Sequence, residues 1–220
     1  MKDFYEEYWI TRDTTKSDQR TIQRAKLISR LITKTSGSLL DVGCGKGIIS
    51  EFFYKKGFDV KAVDISSEAV KFTKERGIDA MVCDIEKEEI KGKYDVILCI
   101  EVLEHLIDPL GVLKKLKGSL KEDGEIIISL PNEFHIIRRL QILFGKQDFS
   151  KYDWHHLRFF DKKEANRLIT DAGLCIKSVV YLPLMPPRMF GANSLGIFLA
   201  KLYPSLFSFS FIFRAVKGDI

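Results

Sequence analysis

The sequence predicts an α/β domain, a mainly parallel β-sheet with helices packed on both faces. Short apolar runs recur along the first 130 residues, helical patterns lie between them, and a glycine-rich turn directly follows the first run. With 220 residues, 45% of them hydrophobic and 30% charged, the chain can bury one sizeable core. A single domain over residues 1–220 is expected, neither disordered nor built from repeats.

Residues 19–34 place Ile22, Ala25, Leu27, Ile28, Leu31 and Ile32 at helical spacing with basic residues between them, an N-terminal helix. After Ser36-Gly37-Ser38, residues 39–42 read as a strand, 43–47 as a glycine loop, and the following residues through Lys56 as a helix that Gly57 stops. Residues 58–63 form a second strand ending at Asp64, and Ser66 or Ser67 caps the next helix, which runs to about Arg76. Further strands are expected at 79–83, ending at Asp84, at 94–100, and at 125–130, closed by Pro131.

Residues 132–160 are rich in aromatic, basic and histidine side chains and too long for an ordinary connection, so they are expected to cap the strand ends. Asp161 then caps a helix to Asp171 that Gly173 ends, and 174–182 is a strand. Pro183, Pro186 and Pro187 break the chain, a helix covers 193–203, and residues 208–217 alternate Phe209, Phe211 and Phe213 with serines as a last strand.

Several classes are excluded or disfavoured. Cys44, Cys83, Cys99 and Cys175 lie far apart, with no paired metal knuckle and no disulfide framework, which favours a reducing cytoplasm. The charged start, Met1 to Glu7, lacks the apolar segment of a secretion signal, and no uncharged stretch is long enough to span a bilayer. A net charge of +5 is uninformative alone. Its distribution says more: residues 172–218 contain no acid, and Lys177, Arg188, Lys201, Arg214 and Lys217 stand among aliphatic and aromatic side chains.

Gly43, Gly45 and Gly47, between a buried strand and a helix, permit a tight turn and close approach of a ligand to backbone N–H groups. The dinucleotide pattern would need its third glycine where Ile48 stands, and the phosphate-binding loop would need Ser or Thr after Lys46, where Gly47 stands. Asp64, about twenty positions beyond Gly43 at a strand end, suits both hydroxyls of a ribose. Asp84 can accept from an adenine amine, and Ile65 and Ile85 offer apolar faces to the ring. The set describes an adenosine site without a phosphate site.

On these residues the chain resembles the class I S-adenosylmethionine-dependent methyltransferases. The likeness is carried by Leu39-Leu40-Asp41-Val42-Gly43-Cys44-Gly45-Lys46-Gly47, by Ala62-Val63-Asp64-Ile65-Ser66, by Cys83-Asp84-Ile85 and by the run from Tyr94 to His105. It implies a Rossmann-like seven-stranded sheet of order 3-2-1-4-5-7-6 with the last strand antiparallel. S-adenosyl-L-methionine is the implied cofactor, held by Asp41, Gly43, Gly45, Gly47, Asp64, Ile65, Asp84 and Ile85, with its methionine part against the loop, Ile100 and Glu101. A basic group of the opening helix would meet its carboxylate, with Arg24 placed best and Arg20 second.

Strand 94–100 ends without the Pro-Pro tetrapeptide that amino methyltransferases use, and no Pro-Cys pair is present, which argues against DNA methylation. The stretch Trp154 to Asp161 resembles the branch that includes ubiquinone-biosynthesis O-methyltransferases. That likeness implies a small or lipid-like acceptor and no specific nucleic acid. Methyl transfer to a hydroxyl needs alignment and removal of one proton. His155 or His156 is expected as base or acceptor ligand, with His135 and His105 nearby in sequence or at the fourth strand's end, and Arg158 as an anchor for an acceptor anion. Glu101, Glu104 and His105 resemble a divalent-metal pattern, E-x-x-E-H, of the same branch; a solvated or capping role is commoner, and no metal is assigned.

The acid-free tail reads either as an ordinary helix and strand or as an apolar channel or peripheral membrane contact through Leu184, Met185, Met189, Phe190, Leu195, Phe198 and Leu199. The function read from sequence is methyl transfer to a small or lipid-like acceptor at oxygen. The alternatives are an RNA or protein methyltransferase, or an idle fold used for binding.

Overall fold

The computed structural model describes residues 2–11, 15–146, 156–184 and 192–218. Seven strands form one sheet: β1 (Gly37–Val42), β2 (Phe58–Asp64), β3 (Asp79–Val82), β4 (Tyr94–Ile100), β5 (Leu120–Pro131), β6 (Leu174–Pro183) and β7 (Ser208–Lys217). Their order is β3-β2-β1-β4-β5-β7-β6. The first five run parallel, and β7 is antiparallel to both β5 and β6. The expected topology is therefore present, Rossmann-like and closed by an antiparallel strand.

The helices among the described residues are α1 (Lys2–Thr11), α2 (Thr15–Leu31), α3 (Ile48–Tyr54), α4 (Ser67–Glu75), α5 (Pro109–Ser119), α6 (Ile136–Leu143), α7 (Lys162–Asp171), α8 (Ala192–Leu202) and α9 (Pro204–Phe207), with a 3₁₀ turn at Leu103–His105. Their starts follow local chemistry. Ser66 accepts the Ala69 N–H at 3.3 Å to open α4, and Asp108 accepts the Gly111 N–H at 2.9 Å before Pro109. Asp161 and Glu164 form a reciprocal capping box on α7.

Side chains alternate along β4. Ile97 and Cys99 join one apolar layer with Leu113, Leu116, Phe211 and Phe213, while Val96, Leu98 and Ile100 join the other with Ala25, Ile28, Leu39 and Phe53. Each fully buried Leu, Ile or Phe contributes roughly 1.5–3 kcal/mol relative to exposure. All four cysteines are free thiols.

The structure departs from the sequence reading at several boundaries. Helix α1 was not expected. Helix α2 starts at Thr15 rather than 19, and β5 starts at Leu120 rather than 125, because Leu120 pairs with Tyr94 across a register irregularity. The expected cap contains a helix, α6, and its residues 147–155 lie outside the described residues.

One buried carboxylate fixes α2 against the sheet. Glu125 on β5 accepts the N–H groups of Thr33 at 2.7 Å and Lys34 at 3.1 Å, the Thr33 hydroxyl at 3.1 Å, and Arg214 Nε of β7 at 2.5 Å. The exit of α2 is thus pinned, and Arg24 on that helix comes to the C-terminal end of β4.

Candidate active site

The glycine loop sits at the C-terminal end of β1. Gly43, Gly45 and Gly47 have φ of +68°, +53° and +72°, in the left-handed region. Side chains there would also collide: a Cβ on Gly43 would come within 2.4 Å of Val102, on Gly45 within 2.7 Å of Trp9, and on Gly47 within 2.7 Å of Thr73.

Asp64 closes the loop from β2. Its Oδ2 accepts the Gly45 N–H at 2.9 Å and its Oδ1 the Ser66 N–H at 3.0 Å. The residue is 8% exposed, and burial pushes its carboxyl up despite those two N–H groups. Each oxygen has a further lone pair for a ribose hydroxyl. Asp41 lies under the loop, buried, taking the Ser50 hydroxyl at 2.5 Å; burial lifts its carboxyl to about 7. It ties β1 to the start of α3 and so shapes the turn between them.

Asp84 stands at the end of β3, partly exposed. It pairs with Lys87 at 2.8 Å, which holds its carboxyl below the usual range. Ile85 and Ile100 are buried and Ile65 is half-buried, so an apolar seat borders the polar groups.

Glu101 is the only non-glycine residue with positive φ among the described residues, at +56°. Such a conformation costs of order 1–3 kcal/mol and persists where neighbours impose it. Here its N–H donates to the Ser129 carbonyl at 3.1 Å, its carboxylate accepts the Ser129 hydroxyl, and Arg24 approaches it to 3.3 Å. Arg24 thus lies beside Glu101 at the C-terminal end of β4. The side chain of Arg20 lies outside the described residues.

Helix α1 covers this crevice. Glu6 accepts the N–H groups of Ser67 at 2.8 Å and Glu68 at 3.1 Å and the Ser66 hydroxyl at 2.8 Å. Burial alone would raise its carboxyl, but these donors bring it down to about 2. Trp9 lies on Gly45, and the Tyr5 ring meets His105 edge-on at 5.8 Å. Sequence reasoning missed this role. The available signal was the aromatic spacing of Tyr5, Tyr8 and Trp9 on a charged segment.

Residues 156–158, of the segment expected to form the cap, meet the 3₁₀ turn that follows β4. Asn132 Nδ2 donates to the Ser208 carbonyl at 2.9 Å and its Oδ1 accepts the Phe134 N–H at 3.1 Å, so the chain leaves β5 in a fixed direction. His135 is an N-cap, its Nδ1 taking the Arg138 N–H at 3.3 Å, which makes its part structural; burial lowers its pKa. His156 Nδ1 lies 2.8 Å from Glu133 Oε1, and Arg138 pairs with the same carboxylate. The His156 and His105 rings are 4.8 Å apart. His155 lies outside the described residues.

The cap is also tied to the 3₁₀ turn. Leu157 and Arg158 donate their N–H groups to the Glu104 carbonyl at 2.8 and 3.1 Å, and Arg158 Nε donates to the Leu106 carbonyl at 3.2 Å. The Arg158 guanidinium, expected to anchor an acceptor anion, holds backbone carbonyls instead.

The E-x-x-E-H residues do not converge. Glu101 turns to Arg24 and Ser129, whereas Glu104 and His105 stay together, with His105 Nε2 at 3.9 Å from Glu104 Oε1. Glu133, on which His156 rests, carried no recognisable sequence signal.

A mixed seven-stranded sheet of this order, with a glycine loop and a buried carboxylate hydrogen-bonded to it at adjacent strand ends, is the architecture of an S-adenosylmethionine-dependent methyltransferase. The comparisons agree. A family model described as "Methyltransferase domain" matches residues 17–179, and the chain belongs to that family. It is 30% identical over 182 residues to the ubiquinone biosynthesis O-methyltransferase of Aeromonas salmonicida, covering 74% of this chain and 76% of that protein. The protein of the same name from Paraburkholderia phymatum is 30% identical over 185 residues, 78% of this chain and 79% of that one.

Among solved structures, a magnesium protoporphyrin IX methyltransferase from Synechocystis with bound S-adenosylhomocysteine superposes with a TM-score of 0.61 at 17% identity, covering 92% of this chain and 84% of that one. An S-adenosylmethionine-dependent methyltransferase from Thermotoga maritima gives 0.67 at 18% identity, with 88% and 87% covered. The enzyme uses S-adenosyl-L-methionine as its methyl donor. Among the described residues, no helix is long and apolar enough to cross a membrane.

Proposed function

We propose that this single domain transfers the methyl group to a hydroxyl of a small or lipid-like acceptor, held between the strand-end crevice and the cap of residues 132–160. The cofactor rests on Asp64, Ile65, Asp84 and Ile85 through its adenosine and on the glycine loop, Ile100, Glu101 and Arg24 through its methionine. The observation that carries the reading is His156: a cap histidine, oriented by the 2.8 Å contact with Glu133, standing against His105 just beyond β4. His156 acts on the acceptor hydroxyl. His155 is its sequence neighbour and the second candidate. The name of the relatives supports oxygen as the methylated atom and a lipid-tailed acceptor.

An apolar surface beside the cap favours a lipid-like acceptor. Helix α6 exposes Ile137, Leu140, Leu143 and Phe144, and α8 exposes Leu195, Phe198 and Leu202, with Arg139 and Lys201 among them. Such faces suit peripheral contact with an anionic membrane. The test is transfer of labelled methyl from S-adenosylmethionine to phenols with and without isoprenoid tails. O-methylated phenol as product supports the reading; transfer to RNA or protein in preference to every phenol contradicts it. His156→Gln should lower turnover roughly a hundredfold while leaving cofactor affinity unchanged.

A further inference from the structure

We infer that Glu6 is a positioning residue for the cofactor: it seats α1 across the strand-end crevice as a lid, which must lift for S-adenosylmethionine to enter and for the demethylated product to leave. The inference rests on the reading of that crevice as the cofactor site. The Trp9 indole lies on Gly45 in the glycine loop, the Glu6 carboxylate holds the start of α4, and the Tyr5 ring meets His105 edge-on at 5.8 Å. Gly45 gives its N–H to Asp64 at 2.9 Å, and its bare Cα faces the indole. A ligand settling on the loop therefore meets Trp9 first.

The way α1 is held decides how readily it lifts. None of its described side chains is buried, and Ile10 is 66% exposed. Its rings pack on one another, Phe4 on Tyr5 at 5.2 Å and Tyr8 on Trp9 at 5.0 Å. The directed contact is polar. Glu6 accepts the N–H groups of Ser67 at 2.8 Å and Glu68 at 3.1 Å, which open α4 and have no acceptor within that helix, and it meets the positive end of the helix dipole. When α1 lifts, those donors turn to water. Opening thus breaks a charge-assisted latch without exposing the core, and segments held in this way open well below the cost of global unfolding.

Ser66 links the latch to the cofactor site. Its N–H donates to Asp64 Oδ1 at 3.0 Å and its hydroxyl to Glu6 at 2.8 Å, so the carboxylate assigned to the ribose and the carboxylate of the lid share one residue. Helix α4 also clamps the glycine loop: Thr73 Oγ1 donates to the Gly45 carbonyl at 2.9 Å and Arg76 Nε to the Lys46 carbonyl at 2.7 Å. The anchor of the lid and the clamp of the loop are therefore one helix, and a seated lid is registered directly on the loop.

The test is stopped-flow fluorescence of Trp9 in the full chain carrying Trp154→Phe, with S-adenosylhomocysteine as the probe, beside hydrogen exchange of the same samples. The observed association rate should level off with rising probe concentration at the rate of lid opening. Glu6→Ala should raise that plateau and the dissociation rate about tenfold, since it removes a charge-assisted latch. The exposed neighbour Glu7, changed to Ala, should leave both within about twofold of the parent. Exchange should quicken at the Ser67 and Glu68 amides and along residues 2–11 in Glu6→Ala, and slow along residues 2–11 when the probe binds. An association rate that rises linearly to the highest concentration, unchanged rates in Glu6→Ala, or an equal effect of Glu7→Ala overturns the inference. Calorimetry separates it from the reading beneath it: failure of the parent chain to bind S-adenosylhomocysteine counts against the cofactor site, whereas binding with unchanged rates in Glu6→Ala counts against the lid alone.

Discussion

Asp64 accepts the Gly45 N–H at 2.9 Å, so the carboxylate assigned to the ribose and the glycine loop are one hydrogen-bonded unit. Hydrogen bonds to a charged group contribute roughly 1.5–3 kcal/mol each. Asp64→Ala should therefore weaken S-adenosylmethionine binding at least about tenfold by calorimetry. Unchanged affinity would remove Asp64 from the site.

Trp9 lies against Gly45, and the sequence holds only one other tryptophan, Trp154. Cofactor entering beside the loop must change the surroundings of that indole. A Trp154→Phe variant should keep a fluorescence change on S-adenosylmethionine addition, and Trp9→Phe should lose most of it. The opposite pattern would mean that α1 does not cover the cofactor.

The acid side of the stability curve follows from two depressed carboxyls. The Lys121 ammonium, at 2.7 Å, with further help from Ser38, holds Asp95 at about 2, below the ordinary 3.8 of an aspartate, and Glu6 also falls to about 2. A group lowered on folding stabilises fully above its unfolded pKa and loses that contribution as pH falls through the folded one. Stability should thus decline between about pH 4 and pH 2. Asp95→Asn should flatten this limb by about 1 kcal/mol, a modest figure because Lys121 is partly solvated. Melting temperatures from pH 5 to pH 2 measure it, and an unchanged slope would contradict the pairing.

Glu125 joins the exit of α2 to β5 and β7 through four contacts while being 1% exposed. Glu125→Ala leaves Arg214 and two backbone donors without their acceptor. A loss of roughly 3–5 kcal/mol is expected in urea unfolding, and a loss below 1 kcal/mol would mean that α2 is held by apolar contacts alone.

Most of the sheet could be read directly, for physical reasons that differ by element. Strand β4 is an unbroken apolar run between a charged turn and the site, and β7 alternates large with small residues, so both occur at the expected bounds. The glycine loop is legible because positive φ and close packing leave no other residue type. Helix α1 escaped notice because its partners, Ser66 to Glu68 and Gly45, are distant in sequence. On a continuous α-helix Glu101, Glu104 and His105 would share one face, but the chain forms a 3₁₀ turn over Leu103–His105. Glu101 precedes the turn at positive φ, and a 3₁₀ turn with three residues per turn places the rest on another face. Glu133 and His156 meet across 23 residues, through a cap whose path local pattern does not determine.

The central claim is tested most directly by a crystal structure with S-adenosylhomocysteine, the demethylated product. The account predicts adenine between Ile65 and Ile85 with its amine toward Asp84, ribose hydroxyls on Asp64, the amino-acid carboxylate toward Arg24, and the sulfur facing the space in front of His156. Product bound elsewhere, or a crevice left empty at saturating concentration, would contradict it.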